Sequence, residues 1–140
     1  MEAVSGTKIK VIGVTTLTSL NDNDANEIYK RTTFDQVKKM LDLAESAKLD
    51  GVVCSPHELK LVVKRDSLLS ITPGIRLHKS EDDQKRTLSP REAVDLGADY
   101  LVIGRPITSA IDISEALNEI YRSIQWVRKN LQLVSMKMKE

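Results

Sequence analysis

Four polar clusters in this sequence could do chemistry: Thr15-Thr16-Leu17-Thr18-Ser19, Ser55-Pro56, Thr72-Pro73-Gly74-Ile75-Arg76 and Gly104-Arg105-Pro106-Ile107-Thr108. Each directly follows a short apolar run. Gly104-Arg105 has the makings of an anion site, because glycine lets a phosphate approach backbone amides and arginine offers a planar fork that matches phosphate oxygens. Such a charge-assisted contact is worth about 1.5–3 kcal/mol. Alone, the same dipeptide also suits an ordinary structural turn, and Pro73-Gly74 is a common turn pair. The third cluster continues through Asp82-Asp83-Gln84-Lys85-Arg86, a long polar loop of the kind more often functional than decorative. His57 and His78 have no Ser or Cys motif around them and read as solvated, and no His, Cys or carboxylate spacing resembles a metal site.

The elements that must position these clusters follow from the apolar patterning. Ile9 to Val14, Gly51 to Cys54, Leu68 to Thr72 and Tyr100 to Ile103 are short, apolar and rich in β-branched residues, as strands are. They are nearly continuous in hydrophobicity, which marks strands covered on both faces and favours a parallel α/β sheet. Helix starts are signalled at Thr33 to Gln36, Ser55 to Glu58, Ser89 to Glu92 and Asp112 to Glu115, where a capping oxygen stands three residues ahead of Glu or Gln. Pro56 and Pro90 fall at first helical positions, and Gly97 is placed to end the third helix with positive φ. After the first start, Val37, Met40, Leu41, Ala44 and Ala47 share one helical face; after the last, Ile113, Ala116, Leu117, Ile120, Tyr121 and Ile124 do the same.

Strand then helix, four times over, gives four βα units within residues 1–126. A complete (β/α)8 barrel takes about 200 residues at the least, so the 140-residue chain has the length of half a TIM barrel. Residues 127–140 form a basic tail, with Val127, Leu131 and Val134 at spacings that could extend the last helix. Net charge is +1, from 21 basic and 20 acidic side chains, so no global field favours nucleic acid or a membrane surface. A single cysteine, Cys54, has no internal disulfide partner, and no segment has the apolar length of a membrane span or a signal-peptide core. A reducing cytoplasm is the expected setting.

Five segments together resemble the C-terminal half of bacterial orotidine 5'-monophosphate decarboxylases: VTTLTS at 14–19, DGVVCS at 50–55, TPGIR at 72–76, DDQKR at 82–86 and GADYLVIGRPIT at 97–108. The resemblance runs over roughly residues 8 to 124 and implies a ribulose-phosphate-binding type of barrel and a cofactor-independent decarboxylation. It implies that Thr18 hydrogen-bonds the pyrimidine and that Pro73 helps wall the base. Arg76 and Gln84 reach the phosphate end of the nucleotide, Gln84 bridging also to the base, while Gly104 and Arg105 grip the phosphate. The family's Asp-x-Lys-x-x-Asp signature, which repels the substrate carboxylate and delivers a proton to the carbanion, is missing from this sequence. Its sole Asp-x-Lys, Asp83-Gln84-Lys85, is followed by Leu88 where the second aspartate belongs. The expectation is a chain without decarboxylase activity of its own, with a non-catalytic nucleotide- or phosphate-binding remnant as the alternative and a sugar-phosphate decarboxylase as a weaker third reading. Weak binding of orotidine or uridine monophosphate is expected. Two unpaired edge strands and an open barrel interior imply a homodimer or higher oligomer, or a complementary N-terminal half, with Val11, Gly13, Val102 and Gly104 near the seam.

Overall fold

The computed structural model describes residues 2–77 and 87–137. Four parallel strands, β1 (Ile12–Val14), β2 (Gly51–Val53), β3 (Leu69–Thr72) and β4 (Tyr100–Leu101), lie side by side in chain order. The helices are α1 (Asp22–Tyr29), α2 (Thr33–Ser46), α3 (Leu59–Val62), α4 (Pro90–Asp95), α5 (Arg105–Thr108) and α6 (Ile113–Lys137), with 3-10 turns at Glu2–Val4 and Pro56–Glu58. Parallel strands joined by helical crossovers form a (β/α)4 half of a TIM-type barrel, as the patterning predicts.

β1 starts at Ile12 rather than Ile9 because the flanking backbone is engaged elsewhere. The Val11 amide donates to Asp50 Oδ2 at 2.7 Å, and the Asp50 amide returns to the Val11 carbonyl at 3.0 Å. Partners in a parallel ladder point to the same face, so the register sorts the side chains into two sets. Val52 and Cys54 on β2, with Leu68 leading into β3, pack with Val37, Leu41 and Ala44 of α2 and with Leu59 and Val62 of α3 in one buried cluster. The opposite face carries the row Val14, Val53, Ile71 and Tyr100, where Val14 is 61% and Tyr100 56% exposed. Continuous hydrophobicity predicts strands covered on both sides; in this chain one side is covered.

Capping chemistry explains the helix boundaries. At α4, Ser89 and Glu92 form the reciprocal box predicted, Pro90 opens the helix, and Gly97 follows its end at φ +92°. α6 is capped by Asp112, whose Oδ1 accepts from the Glu115 amide at 3.0 Å. α2 is capped by Thr32, one residue before the predicted start, and its Oγ1 accepts from the Asp35 amide. Thr33 is taken by Asp22 instead: its amide and hydroxyl both donate to Asp22 Oδ1, at 2.8 and 2.7 Å, which ties α1 to α2. After β2, Ser55 does not cap through an amide, since the Glu58 amide donates to the Ser55 carbonyl in a 3-10 turn and the Ser55 hydroxyl bonds the Glu58 carboxylate directly.

On α2 the expected face is observed through Ala44, with Val37, Leu41 and Ala44 buried and Met40 half-buried, whereas Ala47, at the C-cap, is exposed. The expected face of α6 divides: Ala116 and Ile120 are buried, whereas Ile113, Leu117 and Tyr121 are exposed. α6 itself runs as one helix across residue 126.

Candidate functional site

All four strands run the same way, so the four polar clusters emerge on one rim, the C-terminal end of the sheet, where barrel enzymes build their sites. At that rim the Thr15 hydroxyl donates to the Val53 carbonyl at 2.7 Å and the Thr15 amide to the same oxygen at 3.1 Å, which fixes the start of the first loop on β2. Thr18 is half-buried three residues further on. The third loop leaves β3 through half-buried Pro73 and buried Gly74, whose φ of +80° only glycine adopts without strain. Ile75 then pairs with Leu88 in an isolated parallel bridge, and the Arg76 amide donates to the Leu88 carbonyl at 3.0 Å. That closure pins the base of the long loop. The Arg76 guanidinium donates through Nη1 to the Ile75 carbonyl at 2.9 Å, which holds the half-buried side chain near the rim.

Three residues past β4 stands Gly104, which caps the one-turn helix α5 with its carbonyl accepting from the Ile107 and Thr108 amides at 2.8 and 3.0 Å. A Cβ at Gly104 would meet no atom within 4 Å, so the backbone there borders open space, as an approaching phosphate requires. Arg105, the first residue of α5, is exposed beside it. Because β3 and β4 are neighbours, the Pro73–Arg76 and Gly104–Arg105 loops follow adjacent strands, whereas Thr18 is in the loop after β1, at the other edge of the sheet from β4. Gln84 and His78 lie outside the described residues. His57 is exposed.

Two features of the rim escape the sequence. The hydroxyls of Thr16 and Thr72 are buried with no hydrogen-bond partner among the described residues, and each such group costs about 1–3 kcal/mol. Thr72 shares the helix-covered face with Ser70, so it stands behind Pro73 and not on the open side. α5 itself is the second, four residues long and opened by the Gly-Arg pair, too short to show a helical period.

With this rim in place, comparison with known proteins decides the family. The family model described as orotidine 5'-phosphate decarboxylase / HUMPS family matches residues 1–120. The chain belongs to that family. It is 43% identical over 127 residues to the orotidine 5'-phosphate decarboxylase of Wolbachia pipientis subsp. Culex pipiens, covering 89% of this chain and 56% of that protein. The Coxiella burnetii enzyme of the same name is 48% identical over 119 residues, covering 82% and 50%. Among solved structures, orotidine 5'-phosphate decarboxylase from Lactobacillus acidophilus aligns with a TM-score of 0.67 at 33% identity, over 86% of this chain and 51% of that one. The chain thus spans about half the length of the relatives it matches, in agreement with four strands of an eight-stranded barrel.

Proposed function

We propose that this chain is the phosphate-gripping half of an orotidine 5'-monophosphate decarboxylase site, holding a pyrimidine nucleoside monophosphate weakly and performing no decarboxylation by itself. The observation that carries this reading is Gly104 in the loop after β4, bordered by open space and followed by exposed Arg105 on a rim shared with Pro73, Arg76 and Thr18. Arg105 would take the phosphate oxygens in a charge-assisted fork, while Gly104 lets them reach the backbone. Arg76, with Gln84, would reach the phosphate end, Pro73 would wall the pyrimidine, and Thr18 would hydrogen-bond its edge.

The parent reaction turns orotidine 5'-monophosphate into uridine 5'-monophosphate and carbon dioxide without a cofactor. It needs a lysine to supply the proton and carboxylates to oppose the substrate carboxylate, functions that only positioned ionised groups provide. The sequence has no Asp-x-Lys-x-x-Asp to hold them. That same gap favours a second reading, a binding remnant with no catalytic partner.

Calorimetric titration with uridine 5'-monophosphate tests the site. Weak binding is expected for the unaltered chain, and Arg105→Ala should weaken it about tenfold or more, the loss of one charge-assisted contact. Equal affinity for the two proteins would show that the phosphate is held elsewhere.

A further inference from the structure

We infer that two copies of this 140-residue chain close on each other head to tail, the bare flank of α6 in one copy seating in the groove between β1 and α2 of the other. Three observations carry this. The first is the groove, a cavity of about 230 Å³ beside the outer edge of β1, lined on its helix side by Met40, Leu43, Ala44, Ala47 and Leu49. Leu43 projects from it at 61% exposure, so the groove is apolar to its rim.

The second is α6. Ile113, Leu117 and Tyr121, four residues apart, extend the buried face formed by Ala116 and Ile120 into a stripe that stays about half exposed. At 100° per residue the neighbours beyond this stripe are Ser114 and Asn118, uncharged, while Glu115 and Glu119 fall on the far side of the helix. An apolar stripe shielded from charge on its open side is built for contact.

The third is topology. A helix that follows a strand in a right-handed parallel crossover packs beside the next strand. Among the described residues no strand follows β4, and a single 3-10 turn precedes β1. The two deficits sit at opposite ends of the sheet and are complementary. An open strand edge with a bare helix flank meets an open strand edge with an apolar groove.

A second copy satisfies both ends at once. Head-to-tail contacts usually propagate, but four parallel strands from each copy give eight, the number at which the parallel barrel closes, so assembly stops at two. The open row of Val14, Val53, Ile71 and Tyr100 then faces its own counterpart across the interior.

Sedimentation equilibrium of the full chain at micromolar concentration is expected to give twice the 15.7 kDa chain mass. Leu43→Lys and Leu117→Glu should each sediment as folded monomers with unchanged helical circular dichroism. Mixed together, they should dimerise again, because one seam is then unaltered on both sides and the other sets lysine against glutamate. If either variant loses its helical signal, Leu43→Ser and Leu117→Ser carry the test, with the dimer expected to weaken about tenfold. A compact monomeric parent chain, a dimer indifferent to both positions, failure of the mixture to dimerise, or oligomers that grow with concentration would each overturn the inference. So would a parent chain that associates with the N-terminal half of a full-length relative and not with itself.

Discussion

The two faces of the one sheet are built from the same four short strands and have opposite fates. On the helix side, Val52 and Cys54 are sealed under α2 and α3, with Leu41, Leu59 and Val62 fully buried against them. On the other side Val14, Tyr100 and Val102 remain about half exposed. Strand composition does not cause the difference, since valine and leucine occur on both faces. Supply does: each βα crossover delivers a helix to one side of the sheet, while the other side is closed only by strands that complete a barrel. A half-barrel therefore has a finished core outside and an unfinished one inside.

Truncating one residue on each face should separate the two. Leu41→Ala should cost about 2–5 kcal/mol in urea unfolding, the price of a cavity in a packed core. Val14→Ala should cost no more than about 0.5 kcal/mol at high dilution. Its cost should grow with protein concentration if copies close over that face. Equal costs at all concentrations would mean that the two faces are not different.

A polar contact behind the sheet gives a smaller effect. Ser70 is fully buried, its amide and hydroxyl both donate to Asp99 Oδ2 at 2.8 and 2.9 Å, and its oxygen accepts from the Asp99 amide at 2.9 Å. Asp99→Ala strips the buried amide of this partner and should destabilise by about 1–3 kcal/mol. A smaller loss would show water reaching β3 from the helix side.

The smallest effect belongs to the α4 cap. Hydrogen bonds from the Ser89 hydroxyl, and then from its amide, hold the Glu92 carboxyl below its ordinary value of 4.5 against a slight opposing effect of burial. A depressed carboxyl stabilises the fold above its unfolded value, and that contribution fades as pH falls through the folded value. Ser89→Ala should therefore cost about 1 kcal/mol at neutral pH. The difference from the parent chain should shrink once pH drops below 4.5. A pH-independent difference would remove Glu92 from the account.

Much of the fold was legible because helix caps are local chemistry. Ser89-Pro90 and Asp112 announce α4 and α6 from a few residues each, and Gly97 ends α4 with the φ its position demands. α1 was not legible: its box closes Asn21 onto Asp24, with aspartate doing what glutamate or glutamine does in the usual pattern. The start of α2 slipped by one residue because Thr32 and Thr33 are chemically alike, and only the Asp22 contact from α1 distinguishes them. The strand pattern described a barrel strand, covered on both sides, which is the environment of a complete barrel and not of this half. At the rim, Gly104-Arg105 and Thr72–Arg76 could be found as a sequence because their chemistry is contiguous. The orphan hydroxyl of Thr16 could not, since burial is set by elements distant in the chain.

Whether this chain is a phosphate-gripping half without decarboxylation chemistry is decided by a decarboxylase assay with orotidine 5'-monophosphate, run on the chain alone and with the N-terminal half of a full-length relative added in trans. No turnover above background is expected from the chain alone. Turnover is expected from the mixture, reduced at least about tenfold by Arg105→Ala. Turnover by the chain alone would contradict this reading.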